Sequence, residues 1–189
     1  MKRVAVVWSS PNTDGLTASA KDQFARGLSD ARAQVQEIHL NRKKIEHCRA
    51  CGNGWGSCNK KGSCVIQDDF NEIYQTLAEA DGIVWISAVY WSDMTECYKA
   101  FFDRLRRCDA MCNHFLTEKR CVLIACAGGT GRGTLECLTQ LERGLTHMGM
   151  RAYDRIPVVR YNREYILPAL YEAGKVYVDR LEKGFDMYY

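Results

Sequence analysis

The chain has 189 residues, of which 47% are hydrophobic and 26% charged, and its formal net charge is +3. This length suits one domain with a sizeable core, and the composition excludes disordered and fibrous proteins. The basic residues are scattered, so the charge does not indicate nucleic-acid binding. The densest group, Arg104, Arg106 and Arg107, ends a predicted helix. We interpret it as cations that are favoured at a helix C-terminus.

The apolar run at the N-terminus extends only from Val4 to Trp8, whereas a signal peptide needs roughly 7–15 apolar residues. No stretch approaches the roughly 18 apolar residues of a membrane span. We therefore expect a soluble, cytoplasmic protein with no membrane partner and no nucleic-acid partner. In the cytosol its cysteines should remain reduced. Six of them fall mostly in apolar segments and are predicted to be small core residues, namely Cys97, Cys108, Cys112, Cys121, Cys126 and Cys137.

Short apolar runs alternate with helical patterns along the chain. The runs predict five strands, at residues 2–8, 34–40, 82–88, 120–127 and 150–159. The second is the most polar, which places it near the sheet edge. Apolar residues three and four apart predict five helices, over residues 14–29, 70–79, 93–107, 131–148 and 165–183. Proline is tolerated only in the first turn of a helix, so we expect the last helix to begin near Pro168.

Alternating strands and helices form a parallel sheet that is covered by helices on both faces. Five strands predict an α/β, flavodoxin-like, doubly wound sheet of order 2-1-3-4-5. We expect one domain over residues 1–189, with residues 41–69 as a Cys-rich inserted loop that has a function. Such sheets bind ligands beyond the carboxyl ends of their strands, where the strand order reverses. The segments after the first, third and fourth strands are therefore the candidate site.

The segment after the first strand is crowded with hydroxyl and amide side chains and leads into a helix N-terminus. Backbone N–H groups and the helix dipole favour a phosphate there. Neither GxxxxGK[ST] nor GxGxxG occurs, which argues against a nucleoside triphosphatase and a standard dinucleotide fold. We predict a phosphate site, the alternative being an ordinary capped helix. Its candidate residues are Ser9, Ser10, Asn12, Thr13, Gly15, Leu16 and Thr17.

The segments after the third and fourth strands suit a flat ring. Tyr90 and Trp91 offer an apolar wall for an isoalloxazine, unless they plug the sheet end or form a subunit contact. Four glycines between residues 128 and 133 permit close approach of the backbone to a ligand. The candidate residues are Ser87, Ala88, Val89, Tyr90, Trp91, Ala127, Gly128, Gly129 and Gly131.

Together these segments resemble the NADPH-dependent FMN reductase family of flavodoxin-like proteins over roughly residues 3–135. The resemblance rests on Ser9-Ser10-Pro11-Asn12 with Gly15-Leu16-Thr17, on Cys64 to Phe70, on Ala80-Asp81-Gly82, on Tyr90-Trp91 and on Lys99 to Arg104. It implies that Ser9, Asn12 and Thr17 hold the FMN phosphate. It also implies that Ser87 to Trp91 and Gly128 to Gly131 flank the flavin ring. Ala88 stands where the family usually has proline.

The resemblance implies an FMN-dependent oxidoreductase. It would transfer a hydride from NADPH or NADH to bound FMN, and on to a quinone, a free flavin, a metal ion or an electron carrier. The flavin performs the chemistry, so no catalytic side chain is assigned. One alternative is an FMN protein that transfers electrons without using NAD(P)H directly; another is a non-enzymatic module that binds a metal or a partner. A homodimer or homotetramer is also implied, and the apolar helix over residues 93–107 fits such an interface.

Four cysteines in the inserted loop, with the spacing Cys48-x2-Cys51-x6-Cys58-x5-Cys64, resemble the compact cluster loop of iron–sulfur flavoproteins in the same superfamily. Thiolates hold iron–sulfur clusters in fours, so a [4Fe–4S] cluster is one interpretation. Zinc is another, although the spacing differs from that of a zinc ribbon. A redox-active disulfide, or free thiols in a lid with Trp55 over the flavin, are also open. We interpret His47 as an ordinary surface histidine.

Overall fold

A computed structural model describes residues 1–184, and the last five residues of the predicted 1–189 domain lie outside the described residues. Five strands are present in the described part: β1 (Arg3–Ser9), β2 (Gln34–His39), β3 (Gly82–Ala88), β4 (Arg120–Ala127) and β5 (Arg151–Val159). Six α-helices accompany them: α1 (Leu16–Asp30), α2 (Ser57–Lys61), α3 (Phe70–Glu79), α4 (Glu96–Cys108), α5 (Thr134–Thr146) and α6 (Arg163–Lys183).

The five strands form one parallel sheet of order β2-β1-β3-β4-β5. This confirms the predicted doubly wound α/β fold, including the edge position of the polar strand β2. The central strands β1, β3 and β4 are buried along nearly their whole length. Continuous burial is expected where helices cover both faces of a parallel sheet.

Each face of the sheet has its own apolar core, because successive strand side chains point to opposite faces. On one face, Trp85 packs with Tyr98 and Phe102 under α3, α4 and α5. On the other, Phe24 packs with Tyr177 under α1 and α6.

The structure bears on three expectations: the role of the apolar face of α4, the first residue of α6 and the burial of the six later cysteines. The apolar face of α4 is buried on its own sheet, so the apolar pattern of this helix is explained by the core and does not by itself indicate a subunit interface. Helix α6 begins at Arg163 rather than near Pro168, which lies inside it at an exposed position. There the carbonyl that loses its N–H partner can face water. Four of the predicted core cysteines are buried, and Cys97 and Cys112 are half-buried.

None of the helices in the described part of the chain is long and apolar enough to cross a membrane.

Candidate functional site

Strands β1, β3 and β4 are neighbours in the sheet, so the segments that follow them meet at one edge. In the registers of these strands, Ser9 lies beside Ser87 and Ala88 lies beside Cys126. The Val89 N–H also donates a hydrogen bond of 2.9 Å to the carbonyl of Cys126. We call residues 9–15, 87–93 and 127–133 together the three-loop edge. The chain topology brings the predicted phosphate and ring segments together there.

The segment after β1 is held by polar contacts within the protein. The hydroxyl of Ser9 is fully buried and donates to the side-chain oxygen of Asn41 at 2.9 Å. Ser10 accepts the backbone N–H of Asn12 at 3.2 Å on its hydroxyl oxygen, and its carbonyl lies 2.9 Å from the His39 ring. These bonds leave the Asn12 side chain and the neighbouring Thr13 exposed at the turn.

Helix α1 begins at Leu16 with Gly15 as its cap residue. Within residues 1–184 no side chain caps this end, and the first turn holds no acidic residue. Uncapped first-turn N–H groups and the helix dipole suit a bound anion. A side chain at Gly15 would approach the Asn12 amide to 3.0 Å, so the small residue lets Asn12 lie close to the helix end.

Thr17 lies on the inner side of the same helix. It is buried, and its hydroxyl hydrogen-bonds with the thiol of Cys126 at the end of β4. Burial raises the pKa of Cys126 to about 12, an effect that the Thr17 hydrogen bond partly opposes. Thr17 therefore contacts the sheet, whereas Asn12 and Thr13 face outward.

The segment after β3 forms a tight turn with a strained backbone. Tyr90 and Asp93 exchange two backbone hydrogen bonds of 2.8 and 3.0 Å. Between them, Trp91 and Ser92 have φ values of 50° and 67°, as in a type I′ turn. Residues other than glycine cost about 1–2 kcal/mol each in this conformation. Trp91 is also fully exposed, and strain combined with an exposed aromatic side chain indicates a functional surface.

The glycines after β4 have two different environments. A Cβ added to Gly128 or Gly129 would meet no atom within 4 Å, so their exposed backbone borders open space. Gly133 has a φ of 82°, and its added Cβ would lie 2.7 Å from the Cα of Ser92. The segment therefore packs against the Tyr90–Asp93 turn at one end and leaves room for a ligand at the other. Sequence analysis identified Gly128 and Gly129 but missed the packing role of Gly133.

Thr95 joins two of the three segments and was not predicted as a site residue. It is fully buried and caps α4, where its hydroxyl accepts the Tyr98 N–H at 3.4 Å. The same hydroxyl contacts that of Ser9, and its backbone N–H donates to the Ser87 hydroxyl at 3.2 Å. A threonine directly before a helical pattern is a recognisable cap signal, but its contact with Ser9 depends on the fold.

The four cysteines of the inserted loop line one small cavity beside α4, together with Arg49, Arg104, Arg107 and Cys108. All four are half-buried free thiols. Burial raises the pKa of Cys108 to about 12, so this wall residue stays a protonated thiol at neutral pH. The cavity therefore combines four cysteines from the loop with three guanidinium groups.

A single zinc ion and a four-iron cluster require different arrangements of the four loop thiols. Around one zinc ion, four thiolates lie about 3.8 Å apart, given tetrahedral bonds of about 2.3 Å. Within the described residues, no three His, Cys, Asp or Glu side chains converge closely enough to hold an ion. A cluster of four irons takes one thiolate for each iron, so its ligands surround a larger body. The guanidinium groups of Arg49, Arg104 and Arg107 make the wall of this cavity favourable for a negatively charged group.

Arg104 and Asp68 form a buried ion pair behind this cavity. Two guanidinium nitrogens of Arg104 donate to the Asp68 carboxylate at 2.6 and 2.8 Å, and the side chains are 1% and 0% exposed. Burial by itself raises the pKa of Asp68. The hydrogen bonds from Arg104 and from the N–H groups of Glu46 and Phe70 outweigh it and hold that pKa below its usual value. Our interpretation of Arg104 as a helix-terminal cation is therefore wrong.

Arg107 lies in the wall of the cavity and contacts Trp55. The Arg107 guanidinium lies 4.6 Å from the Trp55 ring centroid and donates to the carbonyl of Gly54. Twelve residues of helix at about 1.5 Å each separate Arg107 from Thr95, or about 18 Å. Trp55 therefore contacts the end of α4 that is opposite to Thr95, and the interpretation of this loop as a lid with Trp55 over the flavin stays a prediction.

The family model for NADPH-dependent FMN reductases matches residues 2–161. The chain belongs to this family.

Relatives of this FMN reductase family member include iron–sulfur flavoproteins. One from Archaeoglobus fulgidus is 32% identical over 105 residues, which are 56% of this chain and 46% of the relative. One from Methanosarcina thermophila is 30% identical over 118 residues, which are 61% of this chain and 57% of the relative. The chain spans about half the length of these curated relatives.

A solved structure shares the fold over nearly the whole chain of this FMN reductase family member. The NAD(P)H:quinone oxidoreductase from Methanothermobacter marburgensis has a TM-score of 0.71 and 20% identity, and the match covers 97% of this chain and 98% of that one. At this identity the likeness shows the fold alone.

Proposed function

We propose that this chain binds FMN at the three-loop edge and acts as an oxidoreductase. It takes a hydride from NADPH or NADH and passes reducing equivalents to a small-molecule or protein acceptor such as a quinone, a free flavin or a metal ion. One observation carries the proposal: the open backbone of Gly128 and Gly129 and the exposed Tyr90–Trp91 turn share an edge with the uncapped end of α1.

The phosphate end of FMN fits the segment after β1. Asn12 and Thr13 are exposed polar groups beside the first turn of α1. The N–H groups of that turn offer donors and a favourable dipole. We propose that Ser10, Asn12 and Thr13 with the N–H groups of residues 15–17 hold the phosphate. Ser9 and Thr17 support it from below, because both are buried and bonded within the protein.

The ring fits between the other two segments. Gly128 and Gly129 allow close approach of their backbone, and backbone groups suit the polar edge of an isoalloxazine. Tyr90 and Trp91 shape the opposite, apolar wall, where a nicotinamide also stacks. Bound FMN supplies the hydride and electron chemistry. The protein binds and orients FMN and the nicotinamide, so no catalytic side chain is required.

We further propose that Cys48, Cys51, Cys58 and Cys64 hold a [4Fe–4S] cluster. They line one cavity, and the guanidinium groups of Arg104 and Arg107 lie in its wall. The names of the relatives from Archaeoglobus fulgidus and Methanosarcina thermophila support the same assignment. Such a chain carries two redox groups, FMN and the cluster. Either group can pass electrons to a protein or small-molecule acceptor.

The phosphate assignment is tested by flavin titration of Asn12→Ala and Asn12→Asp. Loss of one hydrogen bond to a charged group costs about 1.5–3 kcal/mol, so Asn12→Ala should weaken FMN binding at least tenfold. Asn12→Asp should weaken it further and in a salt-dependent manner, because its carboxylate repels the phosphate. Riboflavin, which lacks the phosphate, is the matched control and should bind all three proteins alike. Unchanged FMN affinity in both variants would exclude Asn12 from the site.

Anaerobic addition of NADPH or NADH separates the reductase from an electron-transfer flavoprotein. Only direct use of the nicotinamide bleaches the flavin absorbance without another enzyme. A colourless protein with tightly bound zinc would instead favour the non-enzymatic module.

We also propose that the chain forms a homodimer or homotetramer. Light scattering of the FMN-loaded protein tests this, and a monomer at micromolar concentration would contradict it.

A further inference from the structure

The buried guanidinium of Arg104 has one nitrogen, Nε, that the ion pair does not use. Its two terminal nitrogens bind Asp68, and one of them also donates to the carbonyl of Glu46 at 3.0 Å. The Nε–H group is buried and has no hydrogen-bond partner among residues 1–184. A buried unpaired donor costs about 1–3 kcal/mol.

The available acceptor is sulfur. Arg104 lines the cavity that the four cysteines share, and Cys64 is the cysteine that interacts with its guanidinium. The sulfur of a metal-bound thiolate is a stronger acceptor than a neutral thiol, because it carries negative charge.

Asp68 connects Arg104 to both ends of the inserted loop. Its carboxylate accepts the N–H of Glu46 at 2.8 Å and the N–H of Phe70 at 3.2 Å. Glu46 precedes the four cysteines in the chain, and Phe70 follows them. The ring of Phe70 lies 4.3 Å below the guanidinium. The carboxylate that binds the Arg104 guanidinium therefore also binds both ends of the inserted loop.

We propose that Arg104 donates an N–H···S hydrogen bond to Cys64 when Cys64 binds the cluster, and thereby raises the cluster's reduction potential. The inference rests on the cluster site proposed above. Arg104 is a positioning residue: it holds the Cys64 sulfur and stabilises the extra negative charge of the reduced cluster. Hydrogen bonds to the sulfurs and local charge are established determinants of such potentials.

The first test compares two variants of anaerobically reconstituted protein in a redox titration with dithionite, which adds one electron to the cluster. The double variant Arg104→Met with Asp68→Asn removes the hydrogen bond and leaves the net charge unchanged. The control Arg106→Met removes one positive charge from the same helix outside the cavity. We expect the double variant to lower the reduction equilibrium constant at least tenfold, or about 59 mV for one electron, at equal iron content. Arg106→Met and the FMN potential should not change.

A second measurement uses the unaltered sequence, in case the double variant does not assemble a cluster. Protein made with arginine that carries ¹⁵N in its guanidino group is reduced and examined by pulsed EPR. We expect a ¹⁵N coupling from Arg104 that persists in both Arg49→Lys and Arg107→Lys. An intact cluster that shows no arginine coupling would overturn the role of Arg104 alone, and so would an unchanged potential in the double variant. Protein that takes up no iron and sulfide would overturn the cluster site as well.

Discussion

Gly133 packs directly beneath Ser92, so that a Cβ on Gly133 would lie 2.7 Å from the Ser92 Cα and the same distance from its hydroxyl oxygen. The contact joins the glycine segment after β4 to the strained turn after β3. Gly133 also has a φ of 82°, a conformation that glycine adopts without a steric penalty. The two walls of the proposed flavin site therefore meet at Gly133.

Gly133→Ala should destabilise the FMN-free protein by about 2 kcal/mol or more, because the left-handed backbone alone costs about 1–2 kcal/mol and the methyl group displaces Ser92. Urea unfolding measures this. Gly128→Ala is the matched control: its methyl group enters open space, so stability should change by less than about 0.5 kcal/mol, yet FMN affinity should fall. A Gly128→Ala protein with normal FMN affinity would place the flavin elsewhere.

Trp91→Gly should separate stability from function. Removing a positive φ from a bulky residue should stabilise the FMN-free protein by about 1 kcal/mol, whereas the lost aromatic wall should weaken FMN binding and slow reduction by NADPH. Thermal unfolding and stopped-flow flavin absorbance measure the two effects. If the variant is less stable and binds FMN normally, the turn has a structural role only.

Asp68→Asn should destabilise the protein by about 3–5 kcal/mol at pH 7, because it leaves the Arg104 charge buried without a carboxylate. Replacing both partners, as in Arg104→Met with Asp68→Asn, should restore most of this loss. Chemical unfolding of the FMN-free, iron-free proteins measures both. Equal stability of the single and double variants would show that the pair is not coupled.

The same pair predicts a pH dependence. The pKa of Asp68 is lower in the folded protein than its ordinary value of 3.8, so the unfolded chain binds the proton more readily. The stability from this group is present above the unfolded pKa and is lost as pH falls through the folded one. Unfolding free energy should therefore drop below about pH 4 in the wild type, and this component should be missing in the double variant. If the unfolding free energy of the wild type depends on pH in the same way as that of the double variant, this prediction is contradicted.

Thr95→Val should cost about 1–2 kcal/mol, because it removes the cap of α4 and leaves the buried Ser9 hydroxyl without one of its contacts. FMN affinity should fall with it, since Thr95 joins the first two loops. Thr139→Val, which removes an exposed hydroxyl bonded to the helix carbonyl of Leu135 at 2.9 Å, is the control and should be nearly neutral. Equal effects of the two substitutions would remove the special role of Thr95.

The sheet and its order were predictable because each central strand is a continuous apolar run, and β3, β4 and α3 begin and end at the residues that the sequence predicts. The candidate loops follow from the same topology. Short-range patterns also identify the four cysteines, but they do not show that these thiols share a cavity.

The remaining features depend on partners that are distant in sequence. Arg104 looks like a surface cation at a helix end, and its carboxylate lies 36 residues away. The inward direction of Thr17 toward Cys126 and the positive φ of Trp91 likewise follow from the packing of neighbouring segments. Local propensity has no information about these contacts, because each is formed only when the sheet assembles.

The most direct test of the central claim, FMN at the three-loop edge, is an absorption spectrum of wild-type protein purified without oxygen and then mixed with NADPH. We predict the bands of oxidised flavin, FMN released on denaturation, broad additional absorbance from the cluster, and bleaching of the flavin by the nicotinamide. A colourless protein that also fails to take up added FMN would contradict the account.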